Sequence, residues 1–173
     1  MSSQDSHRGR YFEDFHRGEV YRHPLGRTIT EADNTWFTLL TCNTNQLHFN
    51  TVFAEHSAYG KILVNSGFTV ALLLGLTVSD ISQNAVANLG WDSIRLLHPV
   101  YVGDTLFAES QVLSLRDSKS RPYAGIVKVR SQALNQHGDV CVRFVRSVMV
   151  YRRHNPYDNQ VFPVAKIPIE KGE

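Results

Sequence analysis

From Ile62 to Ser79, between Lys61 and Asp80, the chain carries no charged side chain, and this run constrains the possible folds more than any other feature. Its length is that of a minimal bilayer span, about 18 residues. Asn65, Ser66, Gly67, Thr69, Gly75, Thr77 and Ser79 dilute it, however, and strand-like sequence lies on its C-terminal side. A helix that is apolar nearly all round belongs in the interior of a domain when a sheet is available to cover it. The pattern predicts one long buried helix over about 62–78 and no membrane partner.

The C-terminal half supplies the covering sheet. Runs at Val86–Leu96, Thr105–Leu115, Gly125–Leu134 and Val140–Tyr151 have strand character. Val127, Val129, Ser131 and Ala133 alternate with Lys128 and Arg130, and Val140, Val142, Phe144, Val148 and Val150 keep the same period of two, so one face is buried. Asn135–Asp139, with Gly138 free to take a positive φ, reads as a hairpin turn, and Asp117–Pro122 as a second hairpin connection. One buried helix ahead of an antiparallel meander gives an α+β chain in which a curved sheet wraps the helix. No linker divides the sequence, so one domain is expected over 1–173, with a flexible polar arm over 1–10 and an extended surface tail over 153–173.

Composition excludes several classes. With 42% hydrophobic and 20% charged residues the chain is ordinary globular material, and a net charge of +2 gives no nucleic-acid-binding footprint. Cys42 and Cys141 stand far apart, without zinc or redox spacing, which fits a reducing compartment, and Met1–Arg8 has no apolar stretch to make a secretory signal. The expected location is the cytoplasm. Glycine-rich phosphate loops, Gly-x-Ser-x-Gly elbows and metal-ligand clusters are absent from the sequence, so no metal is expected.

The N-terminal part is more irregular. Tyr11–Phe15 precedes an extended stretch from Val20 to Arg27. Thr30, followed by Glu31 and Asp33, predicts a capped helix with Trp36, Phe37, Leu39 and Leu40 on its apolar side. After the polar segment Cys42–Gln46, Asn50 predicts a second short helix ending near Tyr59–Gly60, and the long helix is expected to start directly after it. That would leave the N–H groups around Gly60 to Leu63 without intrahelical partners, ready for a developing negative charge on a thioester oxygen.

Chemistry concentrates at Asn43-Thr44-Asn45-Gln46-Leu47-His48. A histidine titrates near neutrality and can move a proton to or from water or a substrate carbon; a histidine beside Leu47 and Phe49 is equally explained as a structural residue. Ile94–Leu106, through Pro99 and Gly103-Asp104, reads as a sharp turn between strands. Lys119, Arg121, Arg152 and Arg153 form a basic cluster that is either solvated surface or a seat for coenzyme phosphates.

Taken in order, Tyr11-Phe12-Glu13-Asp14-Phe15, Gly26-Arg27-Thr28-Ile29-Thr30-Glu31-Ala32-Asp33, Asn43-x-Asn45-x-x-His48-Phe49-Asn50, Tyr59-Gly60 and Pro99-Val100-x-x-Gly103-Asp104-Thr105-Leu106 resemble the MaoC-like dehydratases, a family that includes R-specific enoyl-CoA hydratases and NodN-like proteins. The resemblance implies a hotdog fold, a homodimer or higher homo-oligomer with the site at its interface, and an acyl-CoA hydro-lyase that uses coenzyme A thioesters as substrate and needs no cofactor. It also implies that His48 moves the proton, Asn43 and Asn45 serve the loop, and Gly60 donates to the oxyanion. Substrate contacts would come from Arg95, Leu63, Val64, Phe53, Phe68, Leu72, Trp91, Lys119 and Arg121. In the hydratase pattern an aspartate stands where this sequence has Asn43, and asparagine here resembles the relatives near mesaconyl-CoA and methylmalyl-CoA hydratases. Two alternatives stay open: an acyl-CoA or acyl-carrier binding protein without catalysis, and a hotdog thioesterase, against which the central helix lacks a carboxylate to activate water.

Overall fold

The computed structural model describes residues 9–157 and 163–169. Its sheet has five antiparallel strands, β1 (Val20–Thr28), β2 (Ala85–Leu96), β3 (Thr105–Asp117), β4 (Ala124–Leu134) and β5 (Val140–Tyr151), in the spatial order β1-β3-β4-β5-β2. The alternation read from the sequence sets the two faces. Val127, Val129, Ser131 and Ala133 of β4 are buried while Arg130 is exposed, and β5 buries Val142, Phe144, Arg146, Val148 and Val150. β3 adds Leu106, Ala108, Ser110 and Val112 to the same inner face. On this face lies the helix α3 (Ser66–Leu76), which buries Thr69, Leu73 and Leu76. Ile29, Val64, Val100 and Phe144 close the core around it, each buried aliphatic or aromatic side chain contributing about 1.5–3 kcal/mol. This wrapped helix is the hotdog fold.

The helix is shorter at its start than the 62–78 read from the sequence. Leu63 bridges Tyr101 in antiparallel fashion, Leu63 N donates to Leu47 O (3.2 Å), and Val64 N donates to Val100 O (2.8 Å). Those N–H groups are spent on extended pairing, so helix begins only where Asn65 caps it, its Oδ1 accepting from Gly67 N at 2.9 Å. At the far end Thr77 N closes on the Gly75 and Leu74 carbonyls, and the chain continues into a wide turn, Val78–Ser82.

The helix α1 (Glu31–Leu40) starts as its sequence requires. Thr30 Oγ1 accepts from Asp33 N, and Asp33 Oδ2 accepts from the Thr30 hydroxyl (2.6 Å) and from Thr30 N (2.8 Å); the hydroxyl and N–H bonds to the carboxylate, with Arg27 beside them, hold the Asp33 carboxyl below its ordinary range. Its buried stripe corrects the expectation. Asn34 and Thr38, one turn apart, face inward, Phe37 packs edge-on against Phe68 at 5.5 Å, and Trp36, Leu39 and Leu40 are exposed. Hydrogen bonding, rather than apolar character, chooses the inward face. The helix α2 (Thr51–Glu55) is capped by Asn50 Oδ1 on Phe53 N (3.2 Å) and stops at Glu55, well short of Gly60.

Two polar networks cross the core. His23 Nδ1 bonds Asp80 Oδ2 (2.8 Å), His23 Nε2 bonds Ser110 Oγ (2.9 Å), and Ser110 Oγ bonds Ser131 Oγ (2.7 Å). Burial lowers the His23 pKa despite the opposing pull of Asp80. Arg146, fully buried on β5, reaches Asn88 Oδ1 (2.9 Å), Thr77 Oγ1 (2.9 Å) and Ser82 Oγ (3.4 Å), all neutral, and burial lowers its pKa to about 10.

Most of the arm expected over 1–10 lies outside the described residues, but Arg10 is docked: its guanidinium sits 4.3 Å from the Tyr21 ring centroid and 3.4 Å from Asp80. In the expected tail, residues 163–169 are exposed, and 158–162 and 170–173 lie outside the described residues. Among the described residues no helix is long and apolar enough to cross a membrane.

Candidate active site

The loop after α1 folds through a series of short-range amide bonds. Cys42 takes a left-handed φ of 55°, Asn43 N donates to Thr38 O (3.0 Å), Asn43 Oδ1 accepts from Asn45 N (3.0 Å), and Asn45 Oδ1 accepts from Leu47 N (3.1 Å). Asparagine side chains imitate a backbone turn in this way, so both residues shape the loop that carries His48. The single turn Gln46–His48 then delivers His48 to the interior, where it is 8% exposed.

The His48 ring has a defined tautomer. Nδ1 lies 2.9 Å from Leu63 O. A carbonyl oxygen only accepts, so Nδ1 carries the proton in the neutral ring and Nε2 keeps its lone pair. Among the described residues Nε2 has no hydrogen-bond partner. A histidine held by one nitrogen with the other free is arranged to take a proton.

Three residues beyond Leu63, α3 begins. Of its first N–H groups, Gly67 is taken by the Asn65 side chain, while Ser66 and Phe68 have no acceptor among the described residues. These are free donors at the positive end of the buried helix. Ser66 lines a cleft of about 240 Å³ whose walls include Leu63, Thr69, Leu96, Leu97 and Pro99. That volume falls below the roughly 300–1,000 Å³ of a complete small-molecule site.

The other sequence-predicted residues are only partly gathered here. Leu63 and Val64 are at the site, the first through its carbonyl and the second as a buried wall of the same cleft. Gly60 is not a free donor: its N–H is bonded to Ser57 O (3.2 Å), its φ is 69°, and it lies in a neighbouring cleft with Lys61, Ile62 and Tyr101. The free helix donors therefore stand at Ser66 and Phe68, because the helix starts later than the sequence suggested. Phe53 is exposed on α2, and Phe68 is half-buried against Phe37. Leu72 packs against the main core. Trp91 and Arg95 lie along β2, a sheet edge, and among the described residues the Arg95 guanidinium bonds only Ile94 O (3.0 Å).

Lys119 and Arg121 are far away. They sit in the β3–β4 connection, beyond the end of β3 opposite Thr105, and a strand from Thr105 to Asp117 spans roughly 40 Å. Arg152 is held by Glu13 and Asp117, and Arg153 by Asp14. The cluster thus lies at the end of β3 away from Thr105, with Arg152 bonded to Asp117 and Tyr123 on either side of the β3–β4 connection. Among the described residues no group of three His, Cys, Asp or Glu side chains could hold a metal ion.

Sequence reasoning passed over Asn34, Thr38, Asn65 and Ser66. The available signal was an Asn34/Thr38 pair at helical spacing in a helix bearing four large apolar residues, and an Asn-Ser start inside the uncharged run.

The antiparallel sheet wrapped around α3, with a loop histidine tied to the segment that leads into that helix, places the chain in the hotdog class. Within it, a family model described as mesaconyl-CoA hydratase matches residues 2–160, and the chain belongs to that family. It is 39% identical over 145 residues to a mesaconyl-CoA hydratase of Cereibacter sphaeroides, covering 84% of this chain and 42% of the relative. It is also 39% identical over 145 residues to a beta-methylmalyl-CoA dehydratase of Chloroflexus aurantiacus, covering 84% of this chain and 41% of the relative. A solved MaoC domain dehydratase from Chloroflexus aurantiacus superposes with a TM-score of 0.81 at 36% identity, over 94% of this chain and 46% of that one. The chain spans less than half the length of these relatives.

Proposed function

We propose that the protein is a hydro-lyase that adds water to, or removes it from, a short or branched 2-enoyl-CoA. The observation that carries this reading is the bond from His48 Nδ1 to Leu63 O, which leaves Nε2 free and ties the ring to the residue three positions before Ser66, where the unpaired donors of α3 begin. In the hydration direction, Nε2 takes a proton from water and the water oxygen bonds to the β-carbon. The π electrons shift to the thioester oxygen, where the α3 donors stabilise the enolate. The imidazolium returns its proton to the α-carbon, so one water is added in total. Asn43 and Asn45 spend their Oδ1 atoms on the loop, and the Asn43 Nδ2 amide remains to orient the water.

The names of the relatives, mesaconyl-CoA hydratase and beta-methylmalyl-CoA dehydratase, favour a methyl-branched acyl group. The coenzyme A thioester is substrate and no further cofactor is required. A homodimer is part of the same reading. The cleft is small, and β2 has an outer edge carrying exposed Leu89, Trp91, Ile94 and Leu96 that a second copy would cover. Two free cysteines accord with a reducing cytoplasm.

The test is a panel of crotonyl-CoA and methyl-branched enoyl-CoAs, with turnover read by loss of enoyl absorbance and by free-thiol release. Absorbance loss without thiol release supports the hydro-lyase. Thiol release would make the protein a thioesterase, and binding without turnover across the panel would make it a carrier.

A further inference from the structure

Asn34 has no exposed surface, and its amide makes no bond within its own helix. Nδ2 donates to His48 O (2.8 Å) and to Leu63 O (3.3 Å), and Oδ1 accepts from Asn65 N (2.8 Å). One side chain therefore joins the histidine loop to the segment that leads into α3. Leu63 O receives two donors, Asn34 Nδ2 and His48 Nδ1, so the carbonyl that sets the histidine tautomer is itself fixed by Asn34. The support extends along the same face of α1: Thr38 Oγ1 accepts from Asn65 Nδ2 (3.1 Å) and Thr38 O accepts from Asn43 N (3.0 Å).

We infer that Asn34 is a positioning residue that holds His48 and the first N–H donors of α3 at their working separation, an inference that rests on the hydro-lyase reading. Apolar packing at this position would take the Asn34 partner from His48 O and from the buried Asn65 N–H and leave Leu63 O with His48 Nδ1 alone. It would also let the loop and the helix start move independently, and a displacement of about 1 Å between reacting groups costs on the order of a hundredfold in rate. The polar stripe that turns Trp36 and Leu40 outward is thus explained by the site rather than by the core.

The experiment uses the full chain with Asn34→Ala, Asn34→Asp and His48→Ala, assayed on the best substrate of the panel across pH. Asn34→Ala is expected to lower kcat by about tenfold or more while KM stays within about threefold. In Asn34→Asp the ionised carboxylate faces two carbonyls, whereas the protonated acid can donate to one of them. The ratio of its kcat to that of the unmodified protein should therefore rise as pH falls. A residue needed only for folding would lower the melting temperature and leave that ratio flat. A flat ratio, or an Asn34→Ala protein that turns over within about twofold of normal, overturns the inference. If neither Asn34 variant folds, ring-nitrogen NMR of the unmodified protein decides: a proton on His48 Nδ1 supports it and a proton on Nε2 refutes it. Full turnover by His48→Ala would refute the hydro-lyase reading separately, since the tautomer is measured without turnover.

Discussion

Lowering the pH should destabilise the fold through His23. Its side chain has no exposed surface, and it is fixed between Asp80 at 2.8 Å and Ser110 at 2.9 Å. Burial is the largest cause of its lowered pKa, and the positive charges of Arg146 and Arg10 push the same way, while Asp80 opposes them. The unfolded chain therefore binds a proton at this histidine at a higher pH than the folded one. Stability from this group is complete above the unfolded value of about 6.5 and is lost as pH falls below it, at up to about 1.4 kcal/mol per pH unit until the folded group also titrates. Urea denaturation from about pH 7.5 to about 5.5 reads the slope, and His23→Gln, which keeps an amide for both partners, removes the titration. The stability of the unmodified protein relative to His23→Gln should fall towards acid. Parallel curves would mean that His23 titrates alike in the folded and unfolded chain and that the burial argument is wrong.

His48→Ala should lower turnover by about a hundredfold or more, the range of a general acid/base, with the fold intact by circular dichroism. Asn43→Ala should cost less, about five- to a hundredfold for one orienting hydrogen bond, and Asn43→Asp should keep or raise activity by restoring a carboxylate; kcat and melting temperature measured together separate water orientation from loop capping. Ile94→Asp on the free edge of β2 should shift sedimentation from dimer to the 19.6 kDa monomer and lower activity in parallel; an unchanged dimer would assign another face. Gly125→Ala should cost about 1–3 kcal/mol by urea denaturation, because a Cβ there would meet the Phe12 ring at 2.2 Å.

The strands were legible because their alternation is dictated by one buried face, and β5 in particular runs Val140–Tyr151 as its alternation predicts. The Thr30 and Asn50 caps were legible for a similar local reason. The start of α3 was not, because an apolar run looks the same whether its first residues are helical or pair with a distant strand, and the partners Val100 and Tyr101 are remote in sequence. The unpaired helix N–H groups stand at Ser66 and Phe68 rather than around Gly60 for that one reason. His48 could be singled out by its polar loop, yet Leu63 O and Asn34, which define what its ring can do, are contributed by non-local hydrogen bonds. The basic cluster failed differently: Lys119 and Arg121 are close to Arg152 across the sheet end, but the length of β3 separates that end from His48.

Arg146 ties together three segments: the end of α3 through Thr77, the wide turn beyond it through Ser82, and the outer strand β2 through Asn88. An outermost strand with hydrogen bonding on one side only would ordinarily fray, and anything docking against it would first have to still that motion. Here a rigid guanidinium fork grips the strand from behind, near its middle. A second copy adding itself along β2 would meet a strand already anchored at Asn88, so that one residue's share of the side-chain ordering that association demands, about 0.5–1.5 kcal/mol, is met before the two chains meet.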